Sequence, residues 1–217
     1  MRCGTLRSRC TRPFWAVAMA IALAVSACAT GPQTTAVPAT PQPPAAVATQ
    51  PVIPRAALPC ASLDEFKNTW TPEDSFSRMQ DCIGKGDAAK ASDLDTMAVI
   101  YGDYDMWRVN DEDVKNGFAV LTYLTYQDLN DSQRHDLSMM STRKTVPGST
   151  SAKALCQKVL RIGPPAYLPL YMTKYRVDDG GRSVMVPQVD QVDLSPVFDP
   201  VRQWKEAVDA VLHCGKQ

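Results

Sequence analysis

Apolar side chains recur at intervals of three or four positions through most of residues 60–217, a spacing typical of amphipathic helices. Capping residues and helix breakers divide this stretch into segments. Gly84 and Gly102 each follow an apolar stripe, where glycine often ends a helix. The sequence predicts helices after the capping-box sequence at 62–65, after Thr71 and Pro72, at 87–101, after the cap Asn110, at 132–143, at 150–162 and after Asp199 and Pro200.

The chain changes character between the last two of these helices. Residues 167–175 are aromatic and suit a short helix, whereas 178–181 carry the turn sequence Asp-Asp-Gly-Gly. Residues 183–194 are rich in valine and contain Pro187, which favours an irregular loop or an edge strand. We therefore predict a mainly α fold of antiparallel helical pairs in one domain, with an irregular extended loop near 178–199.

The first 59 residues have a different composition. Four arginines and no acid precede an apolar run at 13–27, which is the pattern of a secretory signal peptide. The apolar run has about 15 residues, fewer than the about 20 that a membrane-spanning helix needs. Residues 28–59 are rich in Pro, Ala and Thr, a composition that favours a semi-extended linker over helix or sheet.

The sequence Val25-Ser26-Ala27-Cys28 resembles the lipobox of bacterial lipoproteins. The resemblance implies that residues 1–27 are removed and that Cys28 becomes the acylated first residue. Residues 28–59 would then be a lipidated tether for a periplasmic domain at 60–217. In the same family, Ala29 after the cysteine favours the outer membrane, so we expect a lipid anchor on the periplasmic face of that membrane.

Charge and cysteine content follow from this processing. Loss of the four signal arginines lowers Lys plus Arg from 23 to 19 against 23 Asp plus Glu, leaving a net charge of about −4. An acidic chain argues against nucleic acid as a partner. Four cysteines remain in an oxidising compartment, which predicts two disulfides with three possible connectivities. We favour Cys60–Cys82 and Cys156–Cys214, because an antiparallel pair of helices at 62 and 72 would bring the first two together.

Residues 86–94 resemble the second helix of a tetratricopeptide or Sel1-like repeat, through Gly86-Asp87-Ala88-Ala89-Lys90-Ala91 and Leu94. The match covers about nine residues and does not recur along the chain. It implies helices that pack as antiparallel pairs.

Candidate catalytic groups have simpler structural explanations. His135 lies between Arg134 and Asp136, a set that suits a solvated helix face, and His213 adjoins Cys214, whose thiol is lost in a disulfide. The acids at 103–105 suit a turn and those at 110–113 a helix start. The histidine and cysteine spacing gives no reason to expect a metal or another cofactor. We therefore predict a protein that is not an enzyme.

Two features remain as candidates for binding a partner. Tyr167, Tyr171 and Tyr175 are four residues apart, which would place them on one helical face, either in the core or in an interface. Asp190 and Asp193 belong to the acidic stretch 178–199, either a solvated loop or a surface that attracts a basic partner.

The main hypothesis is a lipid-anchored periplasmic protein-binding module. In its most concrete form it is an immunity-type lipoprotein that blocks a toxic periplasmic effector, such as a cell-wall hydrolase. The alternative is a scaffold lipoprotein for envelope assembly or secretion. The third hypothesis is a glycan hydrolase with an unrecognised acid pair.

Overall fold

The computed structural model describes residues 57–216 of the chain. This part is mainly helical and contains two disulfides, as predicted. Its α-helices are α1 (Pro72–Gly84), α2 (Ala88–Arg108), α3 (Glu112–Gln127), α4 (Asp131–Thr145), α5 (Thr150–Ile162) and α6 (Pro200–Leu212). A 3₁₀ helix (Leu170–Lys174) and a hairpin of β1 (Tyr175–Val177) and β2 (Ser183–Met185) lie between α5 and α6, and a last 3₁₀ helix covers Cys214–Lys216.

The predicted signal peptide, the acylated Cys28 and most of the predicted tether lie outside the described residues. The last residues of the predicted tether are bonded to α1: the Leu58 N–H donates to the Ser77 hydroxyl, and Arg78 donates to the Pro59 carbonyl. Among residues 57–216, the helices are too short or too polar to cross a membrane.

Local capping explains where most helices begin. Thr71 and Asp74 form a capping box at α1, and Pro72 occupies its first turn. The Asp199 side chain accepts from two backbone amides at the start of α6. The cap of α3 is Asp111 rather than Asn110, one residue later than predicted, because the Asn110 backbone N–H donates instead to the Asp193 carbonyl.

The helix predicted after 62–65 is not formed. Ser62 donates from both its backbone N–H and its hydroxyl to the Glu65 carboxylate, but only a turn follows. The carbonyl of Asn68 accepts from the Ala166 N–H at 2.8 Å, a bond to a distant part of the chain instead of one within a helix. Tertiary contacts have therefore overridden the local capping signal in this segment.

Gly102 does not end α2, contrary to the prediction, and the helix continues to Arg108. A Cβ atom at position 102 would lie 2.1 Å from the ring of Phe118. Glycine is therefore present because α3 presses an aromatic ring against the backbone of α2.

Helix α2 lies at the centre of the domain and contacts α1, α3, α4 and α6. A connection of three residues joins α1 to α2, so these two helices run antiparallel, as predicted for helical pairs. Aromatic rings link α2 to its neighbours: Tyr101 packs edge-on against Phe66 and against Trp204 of α6. The largest fully buried side chains of α1 and α2 are Phe76, Met79, Leu94, Met97, Ile100 and Tyr101.

Helix α3 approaches the 3₁₀ helix so closely that backbone meets backbone. A Cβ atom on Gly117 would lie 2.0 Å from the carbonyl oxygen of Met172 and 2.8 Å from its carbonyl carbon. Met172 itself is fully buried. This contact fixes the position of the chain that leads into the hairpin.

The disulfides join Cys60 to Cys82 and Cys156 to Cys214, and both predicted pairings are confirmed. The first ties the N-terminal segment to the last turns of α1, although no helix follows Cys60 as the prediction assumed. Two further bonds support it: the Cys60 N–H donates to the Asp81 carboxylate, and Lys85 pairs with the same group. The second disulfide ties α5 to the chain just after α6.

We predict that Gly117→Ala lowers the free energy of unfolding by about 2–3 kcal/mol, because the new methyl group meets a backbone carbonyl that cannot rotate away. Urea unfolding followed by circular dichroism measures the change. The matched control is Gly84→Ala, which adds a methyl group where no atom lies within 4 Å. Equal stability of the two variants would contradict the close contact.

We also predict unequal effects of removing the two disulfides with paired Cys→Ser substitutions. The closed loops span 22 and 58 residues. In the chain-entropy description, loss of Cys60–Cys82 costs about 3 kcal/mol and loss of Cys156–Cys214 about 4 kcal/mol. Thermal unfolding of the two double variants tests the order, and a larger loss from the Cys60–Cys82 pair would contradict it.

Candidate functional site

The candidate partner-binding surface is built on residues 168–201, which run from the 3₁₀ helix through the hairpin to the start of α6. The hairpin strands are antiparallel, with Tyr175 opposite Met185. The Asp178 carboxylate accepts from the backbone N–H groups of Gly180 and Arg182 and pairs with the Arg182 guanidinium. The hydrogen bonds from Arg182 hold the pKa of Asp178 below its ordinary value. The hairpin turn is thus fixed by its own side chains.

The chain after β2 is extended and is held to the domain by backbone bonds. The Val186 N–H donates to the Lys174 carbonyl, and the Val189 N–H donates to the Thr173 hydroxyl. Further along, Leu194 forms a β-bridge with Val109, and the Ser195 N–H donates to the Arg108 carbonyl. The segment predicted as an irregular extended loop is therefore an extended strip bonded to the 3₁₀ helix and to the end of α2.

Apolar and acidic side chains are exposed together on this strip. Val197 is 81 % exposed and Val201 is 72 % exposed, so neither side chain contributes much to the core. More than half of the large apolar side chains exposed within residues 57–216 belong to it: Leu168, Val177, Val189, Leu194, Val197 and Val201. The exposed acids of the strip are Asp179, Asp190, Asp193 and Asp199.

A recess opens beside this strip, between the start of α3 and β1. It has a volume of about 320 Å³. Asp111 and Asp113 contribute carboxylates, and Arg176 contributes a cation from the hairpin side. Asp111 already accepts from backbone amides as the cap of α3, so the Asp113 carboxylate is the more available of the two.

The tyrosines predicted as partner contacts lie mostly in the core, and this part of the prediction is wrong. Tyr175 is fully buried and Tyr171 is 3 % exposed, while Tyr167 is half-buried. They do not share a helical face either, because the 3₁₀ helix covers only Leu170–Lys174. Their hydroxyl groups serve internal bonds: Tyr167 donates to Asp105, and Tyr175 donates to Glu73.

Asp190 and Asp193, the other predicted contacts, are both exposed. The Asp193 carboxylate accepts from the Asn110 side-chain amide at 2.8 Å, so it also helps to hold the strip in place. Both aspartates therefore remain available to a partner from the solvent side.

A buried ion pair lies directly beneath the strip. Asp105 is fully buried in α2, where the sequence suggested only a turn, and it pairs with the Arg108 guanidinium at 2.9 Å. The Tyr167 hydroxyl donates to the same carboxylate at 2.9 Å, and Arg108 donates to the Tyr167 carbonyl. One cluster thus binds the chain before the 3₁₀ helix to the end of α2.

Burial dominates the electrostatics of this cluster. Removal from water raises the pKa of Asp105 to about 7, although Arg108 and the Tyr167 hydroxyl act in the opposite direction. The Tyr171 hydroxyl lies in the same buried region and makes no hydrogen bond of ordinary geometry with the described residues.

The sequence carries a signal for the burial of Asp105, which the assignment of residues 103–105 to a turn did not take into account. Leu94, Ala98, Tyr101 and Asp105 follow one another at helical spacing, and the first three are fully buried. A carboxylate that continues an apolar stripe is a buried group that requires partners. Arg108, three residues later, is the matching cation on the same face.

The candidate catalytic histidines have structural positions. His135 is exposed on α4. His213 ends α6 in a left-handed conformation, and its neighbour Cys214 is bonded to Cys156, so no thiol is present for a Cys–His pair. Among the described residues, no three His, Cys, Asp or Glu side chains come together as metal ligands do.

Comparisons with protein-family models, with curated proteins and with solved structures give no significant match to this chain.

We predict that Asp105 makes stability depend on pH in a direction opposite to that of an ordinary ion-paired carboxylate. Its folded-state pKa of about 7 exceeds the ordinary 3.8, so the folded chain retains the proton to higher pH than the unfolded chain does. The stabilisation linked to this proton is complete below pH 3.8 and is lost as the pH rises through 7.

Asp105→Asn removes this titration. The free energy of unfolding of the wild type minus that of the variant should fall with rising pH, by at most about 1.4 kcal/mol per pH unit. Urea unfolding of both proteins from about pH 4 to about pH 8 measures the difference. A difference that stays constant or increases with pH would show that Asp105 is ionised throughout.

Proposed function

We propose that this chain is a lipid-anchored periplasmic protein-binding module, and most concretely an immunity-type lipoprotein that captures and blocks a toxic effector. The anchor follows from the lipobox resemblance at Cys28. The binding surface follows from the strip at 168–201.

The observation that carries the proposal is the exposure of apolar side chains on a strip whose backbone is already ordered before a partner binds. Val189, Leu194 and Val197 are exposed, yet the backbone around them is bonded to the end of α2, to Asn110 and to the 3₁₀ helix. A surface that is already ordered loses little conformational entropy on binding, which favours tight association. Exposed apolar groups rimmed by charges are typical of protein interfaces.

The charge of the surface indicates the chemistry of the partner. The strip exposes Asp179, Asp190, Asp193 and Asp199, and the adjoining recess adds Asp111 and Asp113. Of the nearby cations, Arg182 is paired with Asp178, Arg202 lies between Asp199 and Glu206, and Arg176 lines the recess beside Asp111 and Asp113. The acids exposed on the strip outnumber the cations that could neutralise them, so the partner is a protein with a basic patch that faces the strip.

The test is an affinity capture with the full chain, held in mild detergent, as bait. The prey is periplasmic extract from cells in which secretion systems are induced. The proposal requires a captured toxin or cell-wall hydrolase whose activity falls in proportion to the amount of chain added. Capture of a resident envelope protein whose activity does not change would overturn the immunity assignment in favour of a scaffold.

A pair of charge variants locates the contact. Asp190→Asn with Asp193→Asn should slow association with the captured protein by roughly three- to tenfold at low salt and much less at high salt, because two steering charges are lost. Asp128→Asn with Asp136→Asn removes the same charge from exposed positions just after α3 and on α4 and should leave the rate unchanged. Equal rates for both double variants would exclude the strip as the contact surface. Stopped-flow or surface-based kinetics provide the measurement.

A further inference from the structure

A second groove lies on another face of the domain, between α4 and the helices α2 and α3. Its volume is about 400 Å³, within the range typical of small-molecule sites. Its walls are the residues Asp95, Tyr126, Arg134, Leu137, Ser138, Ser141, Thr142 and Thr145. We call it the α4 groove.

Helix α4 carries a row of hydroxyl groups along the side that borders the groove. Ser138, Ser141, Thr142 and Thr145 occupy the positions i, i+3, i+4 and i+7. Leu137 is the only buried residue of α4. The helix is held instead by polar contacts with α2, from Ser141 to Ser92 and from Lys144 to Asp93.

Part of this hydroxyl stripe serves the fold and part does not. Ser141 is bonded to Ser92, and the Thr145 hydroxyl donates back to the Ser141 carbonyl. Ser138 and Thr142 are exposed and line the groove without a hydrogen-bond partner among the described residues. Packing therefore does not account for the hydroxyl groups at these two positions.

A largely buried carboxylate faces the same groove. Asp95 of α2 accepts from the Tyr126 hydroxyl with one oxygen, and its other oxygen has no partner among residues 57–216. Burial raises the pKa of Asp95 to about 6, so the group is mainly ionised at neutral pH. An ionised carboxylate with a free oxygen in a groove can accept hydrogen bonds from a ligand.

The lining selects one class of ligand. Serine and threonine hydroxyl groups both donate and accept, and a carboxylate only accepts, so the ligand must offer many groups that do both. Sugar hydroxyl groups have this property, and Tyr126 and Leu137 add apolar atoms to the lining. A phosphate would be repelled by Asp95, and Arg134 is already occupied by Asp131 and by the carbonyl groups of Tyr126 and Leu129.

We propose that the α4 groove binds the sugar rings of a glycan chain, with Asp95 and the hydroxyl groups of Ser138 and Thr142 as the polar contacts. This site is separate from the strip at 168–201 and does not rest on the function proposed for it. It gives the domain a second ligand, so one face holds a glycan while another holds a protein.

The probe is an oligomer of four β1,4-linked N-acetylglucosamine units, titrated by calorimetry into the full chain in mild detergent at neutral pH. Maltotetraose, with four α-linked glucose units, is the second probe and shows whether the groove distinguishes sugars. We expect saturable binding of at least one probe with a dissociation constant of about 1 mM or below. Asp95→Asn should weaken it about tenfold, because a hydrogen bond to a charged group is lost.

A second variant keeps the proposal testable if Asp95→Asn unfolds the domain. Ser138→Ala with Thr142→Val alters two exposed side chains and should also weaken binding several-fold, whereas Asp136→Asn on the same helix should bind as the wild type does. No saturable binding of either sugar, or unchanged affinity in the Ser138/Thr142 variant, would overturn the proposal. Protein capture through the strip is measured separately, so one result does not decide the other.

Discussion

The buried ion pair of Asp105 and Arg108 is the interaction on which the exposed strip depends. It lies at the end of the central helix, and the side chains of both partners also bond to Tyr167: the Tyr167 hydroxyl donates to Asp105, and the Arg108 guanidinium donates to the Tyr167 carbonyl. A buried charge pair contributes little net stability, but removing one partner is costly. Its role here is positional, because it determines where the chain that leads into the strip meets α2.

The sequence allowed the helices to be predicted where the responsible groups are local. Thr71, Pro72 and Asp199 determine the starts of α1 and α6 through bonds within four residues, and the two disulfide pairings were also predicted correctly. Prediction failed where a group far away in the sequence determines the local structure. Gly102 looks like a helix end until the Phe118 ring is placed against it, and the capping signal at 62–65 is outweighed by the bond between Asn68 and Ala166.

The candidate site shows the same difference between features that depend on local sequence and features that depend on distant contacts. Asp190 and Asp193 are exposed, as charged side chains in an irregular segment usually are, and their role as partner contacts stays a prediction. Tyr171 and Tyr175 were misassigned because aromatic spacing does not distinguish a core from an interface, and their burial is determined by contacts with α2 and α3. The α4 groove was not predicted at all, since a hydroxyl stripe in a sequence resembles any solvated helix face.

The disulfide between Cys60 and Cys82 has a mechanical consequence. A force applied through the chain ahead of residue 57 first meets the hydrogen bonds of Leu58 and Pro59 with α1, and at Cys60 it passes through a covalent bond into the same helix. The exposed strip lies inside the loop closed by Cys156 and Cys214. A partner that pulls on the strip therefore meets a second covalent limit to extension. Between the two disulfides, the force acts on non-covalent contacts, of which the packing of α1 against α2 is the most extensive helix contact within residues 57–216.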